Sequence, residues 1–434
     1  MKTLFKNADI LLRENGGYRV AENCCLAVED DRISYIGKDR PEGDFDCVKD
    51  MSSRLLMPGL YNCHNHSPMV LLRGVGSDLP LDKWLTEEIF PVEDRLTAED
   101  IRAGSYLALL EMIACGTASF SDMYFEPHTT VGAVIEAGLR ANIQRPVLSL
   151  DPNEKPEDSY RIREAMELYE NYNGAADGRI LIDFCIHAEY TCTETIARAY
   201  SELCRERHGL MHVHLSETYK EHDECIAKYG KTPAKWFEDL GAFDSRAFAA
   251  HCVAVSDEDI DIFLRHGVSV VHNPSSNLKL GSGFAPVAKL IDRGVNVALG
   301  TDGAASNNNL NIFEEMHLAS IIHNGYMKDA TVMGADTVID MATVNGARLQ
   351  GRENCGELAV GNKADIIAVS LEGPHMRPAL DKKSLVTYSA QGSDVCMNMV
   401  DGRILYENGE YKTLDKERIY YDLNRAVERL YGGD

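Results

Sequence analysis

Leu55-Leu56-Met57-Pro58-Gly59-Leu60-Tyr61-Asn62-Cys63-His64-Asn65-His66 sets an apolar run directly against a pair of histidines. The run from Leu55 to Leu60 reads as a short buried strand, and residues two apart on a strand point to one face. The imidazoles of His64 and His66 can therefore reach one metal ion. A lone His-x-His is often plain surface polarity, so its company decides the reading. His214, His251 and Asp302 each stand at the end of a later apolar run. Neutral imidazoles with one carboxylate suit a catalytic zinc that keeps an open position.

Working outward, strand-like apolar runs alternate with longer helical patterns across residues 56–360. Eight such runs end near Asn62, Ser121, Leu148, His187, His214, His251, His272 and Thr301. This alternation predicts an α/β fold, a (β/α)8 TIM-type barrel, whose catalytic groups stand at the C-terminal ends of the strands. The long connection after the first strand carries Trp84 and Glu93, and Thr97 with Asp100 reads as the capped start of the next helix. A long loop over the barrel mouth is a natural substrate cover. Residues 1–55 and 361–434 read as short strands joined by Gly-containing turns at Asn15-Gly16-Gly17, Asp401-Gly402 and Asn408-Gly409. They are expected to form one small composite β-sandwich.

Composition narrows the function. The chain of 434 residues has a formal net charge of -24. Nucleic-acid backbones and anionic membranes both call for a basic surface, so neither is an expected partner. The twelve cysteines include no C-x-x-C pair and read as small buried residues in a reducing compartment. No secretory signal is visible, because Lys6, Asn7 and Asp9 interrupt the first apolar stretch. A cytoplasmic homo-oligomer acting on a small molecule is the expectation.

His64, His66 and His214 supply three nitrogens and Asp302 the carboxylate. His212 shares a strand face with His214 but lies deeper, and reads as a core histidine. Thr301-Asp302-Gly303 is also a plausible turn; the matching strand-end ligands favour coordination. Asp183-Phe184-Cys185-Ile186-His187 offers no lysine to bridge a second ion, so one divalent metal per chain is expected. Glu217 reads as a proton shuttle beside the metal, with a helix-start glutamate as the alternative. His251 is placed to stabilise the reaction centre. His272 reads as a supporting or turn residue.

These motifs resemble the amidohydrolase superfamily over nearly the whole chain: Met57-Pro58-Gly59-Leu60, His64-x-His66, His214-Leu215-Ser216-Glu217, Ala250-His251-Cys252 and Gly300-Thr301-Asp302-Gly303. The narrower likeness is to the 5-methylthioadenosine/S-adenosylhomocysteine deaminases. It is carried by residues 81–85 with Pro91 and Glu93, by His272 to Leu280, and by Gly300 to Asn308 with Phe313 to Met316. The resemblance implies hydrolytic deamination at C6 of the adenine ring of 5′-methylthioadenosine, S-adenosylhomocysteine, 5′-deoxyadenosine or adenosine. It implies that zinc activates the attacking water, that Asp302 takes the water's proton, that Glu217 protonates the ring, and that His251 stabilises the adduct. Glu93 would accept both ribose hydroxyls, Trp84 pack on the substrate, His187 touch purine or sugar, and Arg145 meet a homocysteine carboxylate. The flanks of His187, Ile186 and Glu189, depart from the prolines usual in that group. Two other readings stay open: a hydrolase of guanine, a pterin or a triazine, and a scaffold without catalysis.

Overall fold

The structure, a computed structural model, describes residues 1–432; residues 433 and 434 of the expected sandwich segment lie outside the described residues. The N-terminal strands are β1 (Lys2–Glu14), β2 (Gly17–Glu29), β3 (Arg32–Gly37), β4 (Cys47–Asp50) and β5 (Arg54–Pro58). The barrel strands follow: β6 (Leu60–Asn65), β7 (Thr117–Met123), β8 (Arg140–Val147), β9 (Ile180–Ile186), β10 (Leu210–Leu215), β11 (Arg246–His251), β12 (Ser269–His272) and β13 (Val297–Leu299). The last four are β14 (Ile366–Ser370), β15 (Val395–Val400), β16 (Arg403–Glu407) and β17 (Glu410–Tyr411).

The apolar run that reads as one strand is two. It parts at Gly59: β5 pairs with β1 and β14 in the terminal sheet, while β6 opens the barrel beside β7. A Cβ on Gly59 would stand 2.4 Å from that of Ala118. Only glycine lets the chain pass this close to β7 while changing sheets. Strands from both termini form one nine-stranded sheet in the order β17-β16-β15-β14-β5-β1-β2-β3, with β4 on β1. Phe5, Leu26 and Val28 from one part cluster with Ile366, Met397 and Met399 from the other, which makes the sandwich core.

Strands β6 to β13 pair in sequence order, each parallel to the next. The seam between β13 and β6 is closed by single contacts. Asp302 N donates to His64 O at 2.9 Å, Thr301 N to Asn62 Oδ1 at 3.0 Å, and Asn62 Nδ2 to Thr301 Oγ1 at 2.7 Å. The ends of the first and last barrel strands, which bring His64 and Asp302 together, are thereby held in place. Chain entropy opposes such closure, and buried hydrogen bonds with few alternatives hold it.

The expected cover after β6 consists of a 3-10 turn (Ser67–Leu72), a short helix running into a π-helical segment (Trp84–Ile89), and Phe90–Glu93. The helix Ala98–Ala114 begins with the predicted capping box between Thr97 and Asp100. A helix absent from the sequence reading, Lys416–Tyr431, packs against this cover: its Ala426 and Leu430 cluster with Trp84, Ile89 and Val92. No helix among the described residues is long and apolar enough to cross a membrane.

Candidate metal centre and substrate cavity

His66 stands one residue beyond β6, and His214 one residue before the end of β10. Their Nε2 atoms are 3.4 Å apart. Asp302 Oδ1 lies 3.2 Å from His66 Nε2 and 3.4 Å from His64 Nε2. A tetrahedral zinc with bonds of about 2.0–2.1 Å sets its ligands about 3.3 Å apart, so these donors fit one ion. Each histidine also commits its other nitrogen. His66 Nδ1 donates to Met123 O at 2.6 Å and His214 Nδ1 to His187 O at 2.8 Å. His64 Nδ1 faces His212 Nε2 at 3.1 Å. His64 Nε2 is buried with no hydrogen-bond partner. Such an orphan is costly unless something else takes its lone pair.

Asp302 carries a second set of partners on Oδ2. Ser276 Oγ donates at 2.6 Å and Ser306 Oγ at 2.9 Å, while Gly303 N donates to Oδ1 at 2.7 Å. Burial opposes charge on Asp302, and the adjacent His64 and His66 rings outweigh it, holding the carboxyl well below its ordinary range. The backbone is left-handed at Asp302, with φ 62°, and at His251, with φ 72°. Non-glycine residues held in this conformation cluster at functional sites.

Glu217 precedes the next helix instead of starting it. Thr218 is the N-cap of Tyr219–Tyr229, and the capping glutamate is Glu221. Glu221 accepts from Ser216 N and Glu217 N, each at 2.7 Å, so it fixes the turn that aims Glu217. The Glu217 carboxylate is buried, and Oε2 lies 3.9 Å from His251 Nε2. Burial raises its pKa, with His251 working against the rise. His251 Nδ1 donates to Asn277 Oδ1 at 2.9 Å, which leaves Nε2 facing Glu217.

One cavity collects most of the expected site. His66, His214, Glu217, His251 and Asp302 line its floor, and Glu93, Trp84 and His187 line its walls. Apolar wall comes from Leu85, Ile89, Phe125 and Leu280. Trp84 is buried, with its Nε1 donating to Val75 O at 3.1 Å. His187 is pushed down to about 4 by burial, so its ring is neutral near pH 7. Burial pushes Glu93 up, opposed by its hydrogen bond from Tyr124.

Arg145 is not brought to the cavity. Alternation along β8 turns Gln144 into the barrel and Arg145 toward the surrounding helices. There its Nε pairs with Glu164 at 2.5 Å and a terminal nitrogen donates to Pro146 O at 2.9 Å. Its guanidinium is paired with Glu164 and is not among the residues that line the cavity. His272 also lies off the cavity floor, its Nε2 3.1 Å from that of His323. The sequence reading missed the partners Tyr124, Ser276, Asn277, Ser306 and Glu221. Ser276, Asn277 and Ser306 lie inside stretches that carry the resemblance, and Glu221 four residues past Glu217. Tyr124 had no signal beyond lying just past an apolar run.

The amidohydrolase family model matches residues 55–405. A 5-methylthioadenosine/S-adenosylhomocysteine deaminase from Caldanaerobacter subterraneus is 43% identical over 435 residues, covering 100% of both chains. A 5′-deoxyadenosine deaminase from Methanosarcina acetivorans is 42% identical, covering 98% of each. Among solved structures, a zinc-bound adenosine deaminase from Xanthomonas campestris superposes with a TM-score of 0.94 at 30% identity, covering 99% of each chain. The atrazine chlorohydrolase of Arthrobacter aurescens, at 22% identity and a TM-score of 0.90 over 98% of this chain and 100% of its own, shares the fold. A barrel closed where His64 meets Asp302, three imidazoles and an aspartate brought together there, and full-length similarity lead to one conclusion: this chain belongs to the amidohydrolase family.

Proposed function

We propose that this protein hydrolyses the amino group from C6 of the adenine ring of 5′-modified adenosines, releasing ammonia. Its substrates are of the class of 5′-methylthioadenosine, S-adenosylhomocysteine, 5′-deoxyadenosine and adenosine. The observation that carries the reading is one cavity with a metal-ligand cluster and a buried acid on its floor and the carboxylate of Glu93 on its wall. The names of the full-length relatives support it.

One zinc ion would be held by His64, His66, His214 and Asp302, and when bound it supplies a Lewis acid that lowers the pKa of water toward ~7. Asp302 is the carboxylate assigned to take the water's proton, and the Ser276 and Ser306 hydroxyls on its Oδ2 fix its orientation. Glu217 carries a proton to the ring nitrogen beside C6; its raised pKa keeps it closer to the protonated state that this step needs. His251, its Nδ1–H committed to Asn277, presents Nε2 to the reacting face. Glu93 accepts the ribose hydroxyls, a pairing suited to two carboxylate oxygens. Trp84 packs over the substrate under the cover, and neutral His187 borders the purine or its sugar.

Purified zinc-loaded protein is tested with adenosine, 5′-deoxyadenosine, methylthioadenosine, S-adenosylhomocysteine, guanine and a chlorinated triazine, scored by ammonia release. Faster turnover of the nucleosides supports the reading. Preference for guanine or the triazine, or no ammonia from any nucleoside, overturns it.

A further inference from the structure

His66 and His214 each donate Nδ1–H to a backbone carbonyl, an acceptor whose identity never varies. His64 differs: its Nδ1 faces another imidazole, His212 Nε2, at 3.1 Å. An imidazole nitrogen can donate or accept, so this contact alone leaves both protons unassigned. The assignment comes from farther along. His212 Nδ1 lies 2.9 Å from Gln144 Oε1. The Gln144 amide nitrogen faces two acceptors, Asn142 O at 3.4 Å and Asp183 Oδ2 at 3.3 Å. Asn142 Nδ2 also donates to Asp183 Oδ2, at 2.7 Å.

Proton placement follows step by step. Asp183 and the Asn142 carbonyl accept, so Gln144 must turn its NH2 to them and its oxygen to His212. His212 must then carry its proton on Nδ1. Its Nε2 lone pair is left to accept from His64 Nδ1–H, and His64 Nε2 is left unprotonated. That is the atom found buried without a partner, 3.4 Å from Asp302 Oδ1. His64, His212, Gln144 and Asn142 are fully buried, so water offers no alternative partner. Phe248 stacks on the His212 ring, centroids 4.0 Å apart, and holds its plane.

We infer that His212 is a positioning residue for the metal: with Gln144 and Asp183 it locks His64 in the Nδ1–H form and aims the Nε2 lone pair at the ion. The inference rests on the metal reading above. It gives His212 work that a core histidine would not have. Partners of this kind, one step behind a ligand, change metal affinity by roughly 10–100-fold when removed.

The test measures the zinc dissociation constant of the full chain by competition with a chromophoric chelator. His212→Phe keeps the stacked ring and removes the acceptor, and zinc binding should weaken by roughly 10–100-fold. Gln144→Leu frees the His212 tautomer and should weaken binding in the same direction. Because both act through one hydrogen bond, the double variant should be little weaker than His212→Phe alone. His212→Gln retains a side-chain oxygen for His64 Nδ1–H and should recover most of the affinity. Circular dichroism of each zinc-free variant establishes that it folds; should His212→Phe not fold, Gln144→Leu and His212→Gln carry the comparison. If His212→Phe or Gln144→Leu binds zinc as tightly as the parent, or the two losses simply add, the relay is wrong. If the parent itself binds no zinc, it is the metal reading that fails.

Discussion

The hydroxyl of Tyr124 donates a 2.6 Å hydrogen bond to Glu93 Oε1 on the wall of the cavity. The bond satisfies one carboxylate oxygen and leaves Oε2 and the remaining lone pairs for a ligand with paired donors. A ribose diol is such a ligand.

Glu93 should therefore discriminate on the sugar. A buried acceptor left unpaired costs about 1–3 kcal/mol, so a 2′-deoxyribose substrate should lose roughly 5–150-fold in kcat/KM. Glu93→Ala should flatten that difference while metal content stays unchanged. Four rate measurements suffice, parent and variant against ribose and deoxyribose substrates. Equal treatment of the two sugars by the parent would remove Glu93 from ribose recognition.

Glu217→Gln preserves shape and cannot carry the proton. Its kcat should fall roughly 10²–10⁴-fold, with zinc retained by elemental analysis. A variant that loses its metal would place Glu217 among the ligands and end its role as a shuttle.

His66→Ala removes a donor whose Nε2 lies within 3.4 Å of both His214 Nε2 and Asp302 Oδ1. Metal and activity should disappear together. Full metal occupancy in this variant contradicts the ligand set.

Glu315 offers a test in pH. It is buried, accepting from Ser275 N at 3.1 Å and Asn307 Nδ2 at 2.7 Å, and burial pushes its pKa up to about 8 from 4.5. Its folded pKa exceeds the unfolded one, so its contribution is fully present below pH 4.5 and is lost as pH rises toward 8. The parent should lose more thermal stability between pH 5 and pH 8 than Glu315→Gln does, by calorimetry at constant zinc. Identical slopes would mean that Glu315 does not titrate in this range.

Periodicity and motif spacing were enough to find the barrel and to name the side chains that its strand ends bring together. Strand alternation puts His64 and His66 on one side of the chain, and the apolar runs ending in His214, His251 and Asp302 mark strand ends. Both are local properties, so they survive in the sequence. What needed the tertiary structure depends on register and on side chains from distant strands. Arg145 reads as a cation available to substrate until the pairing of β8 turns it outward to Glu164. His212 and His214 share one strand face, and only the barrel interior, where side chains from β6 and β8 meet those of β10, sets His214 against His66 and His212 between His64 and Gln144. The Lys416–Tyr431 helix buttresses the cover because its apolar stripe meets Trp84 and Ile89, more than three hundred residues earlier. Local pattern states which residues can be buried or can bind; the folded chain decides which partner each one meets.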